Sequence, residues 1–277
     1  MLQHKIFPLL RSLSRREMTR FREFAESPYF NKHAVVRDLA ATLSDLYPDF
    51  NEQNCSREVL FQKLWPGEAH DQKKLAVHFT YALRLLEQFL QVEQLQKHSS
   101  LESQLLLEQL RERKQFGRFE KTLQRVEQAA DRRKRRSFEW YFRRFQIAAE
   151  SDYYFTASAG RKRDLSLQDK QKYLNLYFLA TKLRDACEMA VRQRILRVSY
   201  EDPLTALAVD QVAASPGVFQ QEPAINLYYR LYRMITEQAP EYYFKALEQL
   251  QEQQEQLPDD ELKNIYNYLQ NYCIQRI

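Results

Sequence analysis

Five consecutive basic residues, Arg132, Arg133, Lys134, Arg135 and Arg136, stand just before Trp140, Tyr141 and Phe142. A run of guanidinium and ammonium groups attracts phosphates by releasing their counterions, and flat rings alongside can stack on unpaired bases. The charge is concentrated here. Arg111 to Arg163 holds sixteen Lys/Arg against seven Asp/Glu, a surplus of nine in a chain whose formal net charge is +5. The remainder is acidic, and between Glu237 and Glu261 Lys245 is the only base. Three readings follow. Residues 111–163 could bind nucleic acid. Alternatively, Phe138, Tyr141, Phe142 and Phe145 keep helical spacing and face a core, leaving the arginines as a solvated helix end. Or the basic middle could meet the acidic C-terminal region in self-association, steered by charge.

Tyrosine is the second group with chemical potential. Of seventeen in the chain, Tyr228, Tyr229, Tyr232, Tyr242, Tyr243, Tyr266, Tyr268 and Tyr272 crowd the C-terminal third. Neighbours on a helix point about 100° apart, so an adjacent pair such as Tyr228-Tyr229 cannot face one core. Most fill a core on this reading, while some reach a surface, where an apolar ring and a hydroxyl suit peptide recognition. Tyr229, Tyr243 and Tyr268 are the candidates for partner contact, together with Arg132 to Arg136.

Catalytic and ligand-binding signatures are missing: there is no GxSxG, GxGxxG, P-loop or HExxH. The five histidines, His4, His33, His70, His78 and His98, are scattered, and no cysteine or carboxylate spacing completes a metal set around them. No cofactor and no enzymatic activity are expected. Cys55, Cys187 and Cys273 are odd in number and form no CxxC pair, which suits neither a disulfide framework nor a zinc knuckle. Cys187 and Cys273 fall at apolar helical positions, where a thiol behaves as a small hydrophobe. A reducing, cytoplasmic location is the expectation. Pro8 interrupts the few apolar residues of the N-terminus, and no run approaches the roughly eighteen apolar residues of a membrane span.

The elements that must position these groups are helices. The chain has only four glycines and nine prolines among abundant Leu, Gln, Glu, Arg, Lys and Ala, so the fold class is all-α. Residues 1–97 read as an N-terminal bundle of four or five helices. Its signals are a capping box Ser14 to Glu17, Asn31, Ser56 and Asp71 as helix starts, and stops at Pro28, Pro48 and Pro66. Residues 98–277 read as hairpins. Ser99–Glu102 and Ser166–Asp169 are further capping boxes, Ser215-Pro216-Gly217 is a loop, and Pro203 and Pro223 suit first helical positions. Ser166 to Tyr200 is either one very long helix or two.

Two echoes organise this second part. Tyr228, Leu231, Tyr232, Ile235 and Ala239 return 34 positions later as Leu262, Ile265, Tyr266, Leu269 and Cys273. Phe138, Tyr141, Phe142 and Phe145 return after 35 as Tyr173, Leu176, Tyr177 and Ala180. Two helices per roughly 34 residues is the period of the tetratricopeptide hairpin, which buries its apolar face by stacking on neighbours.

The segment KQFGRFEKTLQRVEQA also resembles the second helix of a tetratricopeptide repeat. With the SPYFN turn at Ser27 to Asn31, the whole chain is similar to a family of bacterial all-helical proteins with degenerate repeats of that type. The resemblance implies an N-terminal bundle followed by a tetratricopeptide-like α-α superhelix, acting as a non-catalytic scaffold for protein–protein interaction. A protein or peptide partner is therefore expected, with nucleic acid the alternative and no membrane. The last helix carries Ile265, Tyr266, Leu269, Tyr272, Cys273 and Ile274 with no hairpin partner after it. The sequence is thus expected to be a piece of a longer array, or to have this end covered by another subunit.

Overall fold

A computed structural model describes residues 2–133, 135–158, 165–219 and 222–274. It is all-α, with 14 α-helices and no strand among the described residues. The chain divides into two compact units, Met1–Ser99 and Ser100–Ile277.

The first unit contains α1 (Ile6–Ser12), α2 (Arg15–Glu26), α3 (Ala34–Asp45), α4 (Arg57–Leu64) and α5 (Gln72–Lys97). Side-chain caps fix three of the starts. The Ser14 hydroxyl accepts from the Glu17 amide at 3.2 Å while the Glu17 carboxylate accepts from the Ser14 amide at 2.8 Å. Each residue thereby satisfies an amide that helix geometry leaves without an internal partner. Ser56 caps α4 through the Val59 amide, and Asp71 caps α5 through the amides of Lys73 and Lys74. Asn31 does not cap a helix. It knits the turn instead, donating to the carbonyls of Ala25 and His33 and accepting from the His33 amide. The N-terminal arm is itself helical, because Ile6, Phe7 and Leu10 share a face and are wholly buried. Phe7 and Phe79 lie 6.1 Å apart at the centre, and Phe21 meets Phe89 at 5.6 Å. Burial of such side chains supplies about 1.5–3 kcal/mol each.

The second unit contains α6 (Ser99–Glu112), α7 (Phe116–Asp131), α8 (Phe138–Ala157), α9 (Ser166–Leu196), α10 (Pro203–Ala214), α11 (Pro216–Phe219), α12 (Pro223–Glu237), α13 (Pro240–Gln253), a 3-10 turn at Gln254–Gln256, and α14 (Asp259–Ile274). The stretch after Ser166 is one helix of 31 residues, ending where Arg197 turns left-handed at φ 52°. α8 runs back along α9, with Trp140 against Tyr173 and Phe142 against Tyr177. Leu179, Leu183 and Cys187 of α9 share a core with Ile225, Tyr228 and Leu231 of α12 and with Ile265 and Leu269 of α14.

Several expectations change here. α6 and α9 begin at Ser99 and Ser166 themselves, so these serines occupy first helical positions rather than caps. Pro216 starts a single helical turn where a loop was expected, since proline's fixed φ suits that position. Ile265, Leu269 and Tyr272 are buried against the preceding helices, not left without a partner, because α14 packs back onto α12 and α13. Tyr266, Cys273 and Ile274 are the members of that set that stay exposed. Cys273 is thus no core hydrophobe. No described helix is long and apolar enough to cross a membrane.

Candidate functional site

Arg132, Arg133, Arg135 and Arg136 lie between the end of α7 and the start of α8. Arg132 follows the last residue of α7, and Ser137 caps α8 by accepting from the Trp140 amide at 3.4 Å. Arg132, Arg133 and Arg135 are exposed, Arg136 is half-buried, and Lys134 lies outside the described residues. Two contacts pin Arg135 and Arg136 to the C-terminal part of the same unit. The Arg136 amide donates to the Gln256 carbonyl at 2.7 Å, and the Arg135 guanidinium pairs with Asp259 at 3.0 Å. The basic middle and the acidic end therefore meet within one chain. Arg132, Arg133 and Arg143 have no ion-pair partner among the described residues.

The rings beside the run are committed inward. Trp140 is 9% exposed and donates from Nε1 to the Ala130 carbonyl at 3.1 Å, with the guanidinium groups of Arg136 and Arg144 over its ring. Tyr141 is fully buried and donates to Glu222 at 2.6 Å, and burial pushes its hydroxyl pKa far up. Only Phe142 of the three is exposed, and it leans on Tyr177. A stacking platform for bases is absent at Trp140 and Tyr141. What remains is a groove of about 350 Å³ lined by Arg133, Arg135, Arg143, Ser137, Glu139, Trp140 and Pro258. Three guanidinium groups and the Glu139 carboxylate are its charged members.

The three candidate tyrosines are not part of this groove. Tyr229 is half-buried beside Tyr242, and burial raises its pKa. Tyr243 is half-buried, stacked on Tyr272 at 5.4 Å, and accepts from the exposed Cys273 thiol at 3.4 Å. Tyr268 points inward: it is 9% exposed and donates to Glu188 at 3.0 Å, so a role in surface contact does not fit its position. Its helix turns it toward α9 because it follows Ile265 by three residues.

The sequence reading missed two buried polar groups, Glu261 and the Tyr228 hydroxyl. Glu261, in the first turn of α14, is 3% exposed, and neither carboxylate oxygen has a hydrogen-bond partner among the described residues. Burial pushes its pKa up to about 7, Asp260 adds to that, and Arg184 and the Phe138 amide pull the other way. The nearby Tyr228 hydroxyl is likewise buried without a partner, its pKa raised by burial and then by Glu261. A signal existed. Glu261, Ile265, Tyr268 and Tyr272 share one helical stripe, which places a carboxylate on the core face. Among the described residues no three His, Cys, Asp or Glu are grouped as metal ligands. No known protein-family model, no curated protein and no solved structure matches the chain, which stands as an all-helical protein with 14 α-helices among the described residues.

Proposed function

We propose that this chain is a non-catalytic scaffold that binds protein partners, its second unit a degenerate tetratricopeptide-like array. The observation that carries the reading is an open apolar groove of about 550 Å³ between α9, α10 and α11. Leu176, Phe178, Leu179, Leu207 and Val218 line it, with Lys172 and Gln211 among its polar members. Leu207 and Val218 are 61% and 69% exposed, and large apolar side chains gathered at a groove suit a bound helix or strand. The echoes support the repeat reading. Tyr141 and Leu176, like Leu231 and Ile235 with their later counterparts Ile265 and Leu269, all lie in one core. The test is affinity capture from the source cell with and without nuclease, using wild type and a Leu207→Asp/Val218→Asp variant. Partners that survive nuclease and are lost from the variant support the scaffold. Loss of every partner on nuclease treatment refutes it.

Nucleic-acid binding is the second reading, favoured by the arginines without ion-pair partners. It requires a shift of labelled single-stranded RNA or DNA that weakens steeply between about 50 and 200 mM salt. No shift at the lower concentration removes it.

A further inference from the structure

The basic groove has a feature that neither the apolar groove nor charge alone explains: part of the chain already sits against it as an acidic ligand would. Pro258 lines the groove, Asp259 gives its carboxylate to Arg135, and Gln256 gives its carbonyl to the Arg136 amide. We propose that this groove is the docking site for an aspartate- and glutamate-rich segment of a protein partner. The assignment rests on the scaffold reading and names the class of partner.

Three observations carry it. The first is available charge. Arg133 and Arg143 have no ion-pair partner among the described residues, and Arg135 is held only by Asp259, whose side chain is 82% exposed. A pair so exposed is worth at most about 1 kcal/mol and exchanges readily for an incoming carboxylate. The second is preorganisation. Arg136 and Ser137 are held by the Arg136–Gln256 bond and the Ser137 cap, so little order has to be imposed on this side of the groove. The third is selectivity against a polyphosphate. Trp140 and Tyr141 are committed to the core, which leaves Phe142 as the one exposed ring of the three, and Glu139 and Asp259 place carboxylates at the groove itself. A nucleic-acid backbone with a charge every few ångströms must confront them, whereas a peptide can space its carboxylates to reach the guanidinium groups alone.

The experiment measures fluorescence anisotropy of a short labelled Asp/Glu peptide, its Asn/Gln counterpart, and a single-stranded RNA of equal length. Wild type should bind the acidic peptide and not the neutral one. Arg133→Gln/Arg143→Gln should weaken that binding about tenfold, as expected for lost charge-assisted bonds. Asp259→Asn should tighten it severalfold by freeing Arg135, a gain that misfolding cannot produce. Equal affinity in wild type and the double variant would overturn the proposal. So would an RNA bound more tightly than the peptide and lost in the double variant. Captured partners resistant to nuclease and retained equally by that variant would also overturn it, while leaving the scaffold reading intact. A wild-type chain with no nuclease-resistant partner removes both.

Discussion

The two units solve the same problem, packing helices, with different interiors. In the first, Glu93 is the only buried charged side chain among the described residues, and Arg20 pairs with it at 2.7 Å. The rest of that core is aliphatic and aromatic apart from the sulfur side chains of Met18 and Cys55. In the second, Glu150 and Glu261 are buried along with Gln249 and the hydroxyl-bearing rings of Tyr141, Tyr228 and Tyr268. Arg111 answers Glu150 at 2.9 Å, whereas Glu261 forms no ion pair among the described residues and has only Arg184 and the Phe138 amide to oppose its burial. An apolar core is specified by shape and is indifferent to pH. A core holding carboxylates and phenols depends on which of them find partners. The first unit is therefore the sturdier framework, and the second the responsive one.

Phe79→Ala tests the shape-specified side and should have the largest effect. Phe79 is fully buried, so the cavity should cost about 3–5 kcal/mol in a urea titration of the full chain. A loss below about 1 kcal/mol would mean the core collapses to fill the gap and is less shape-dependent than its packing suggests.

Glu261→Gln tests the responsive side. An ordinary glutamate titrates near 4.5 and this one is pushed up to about 7, so between those values the folded chain binds more protons than the unfolded one. The stability contributed by the neutral carboxyl is complete below pH 4.5 and is lost as pH rises through 7. That contribution is on the order of 3 kcal/mol across the window. The glutamine variant should lack this slope and melt higher than wild type at pH 8. Equal pH dependence of melting in the two proteins would show that Glu261 is solvated or paired.

The smallest effects come from two phenol hydroxyls. Tyr141→Phe removes a bond to the Glu222 carboxylate and should cost about 1–2 kcal/mol. Tyr228→Phe removes a hydroxyl with no partner among the described residues and should be neutral or stabilising by up to about 1 kcal/mol. Equal losses from the two variants would erase the distinction between satisfied and unsatisfied phenols.

The helical content was legible because its causes are local. Ser14 and Glu17, Ser56 and Asp71 cap as their spacing predicts, since a cap involves residues within one turn. Asn31 misled because its side chain bonds Ala25, six residues back, a choice set by how the turn folds. The basic run was evident as charge, but its fate was not. Whether Arg135 is free depends on Asp259, more than a hundred residues away, and no period links them. Helical spacing did place Tyr141 inside. Tyr268 went astray because the crowding of tyrosines says nothing of which one faces the core, whereas its spacing of three from Ile265 puts it there.

α9 has a consequence for how the second unit comes apart. Its 31 residues make a rod about 46 Å long. It packs against α8, α10 and α12, while Glu188 within it accepts from Tyr268 of α14. In an array of equal hairpins each repeat touches only its neighbours, so an end can fray while the middle holds. Here helices distant in sequence lean on one shared wall. Detaching any of them uncovers part of α9, and losing α9 uncovers them all. The helices packed on α9 should therefore open together, with the slowest-exchanging amides along the middle of α9 where they converge.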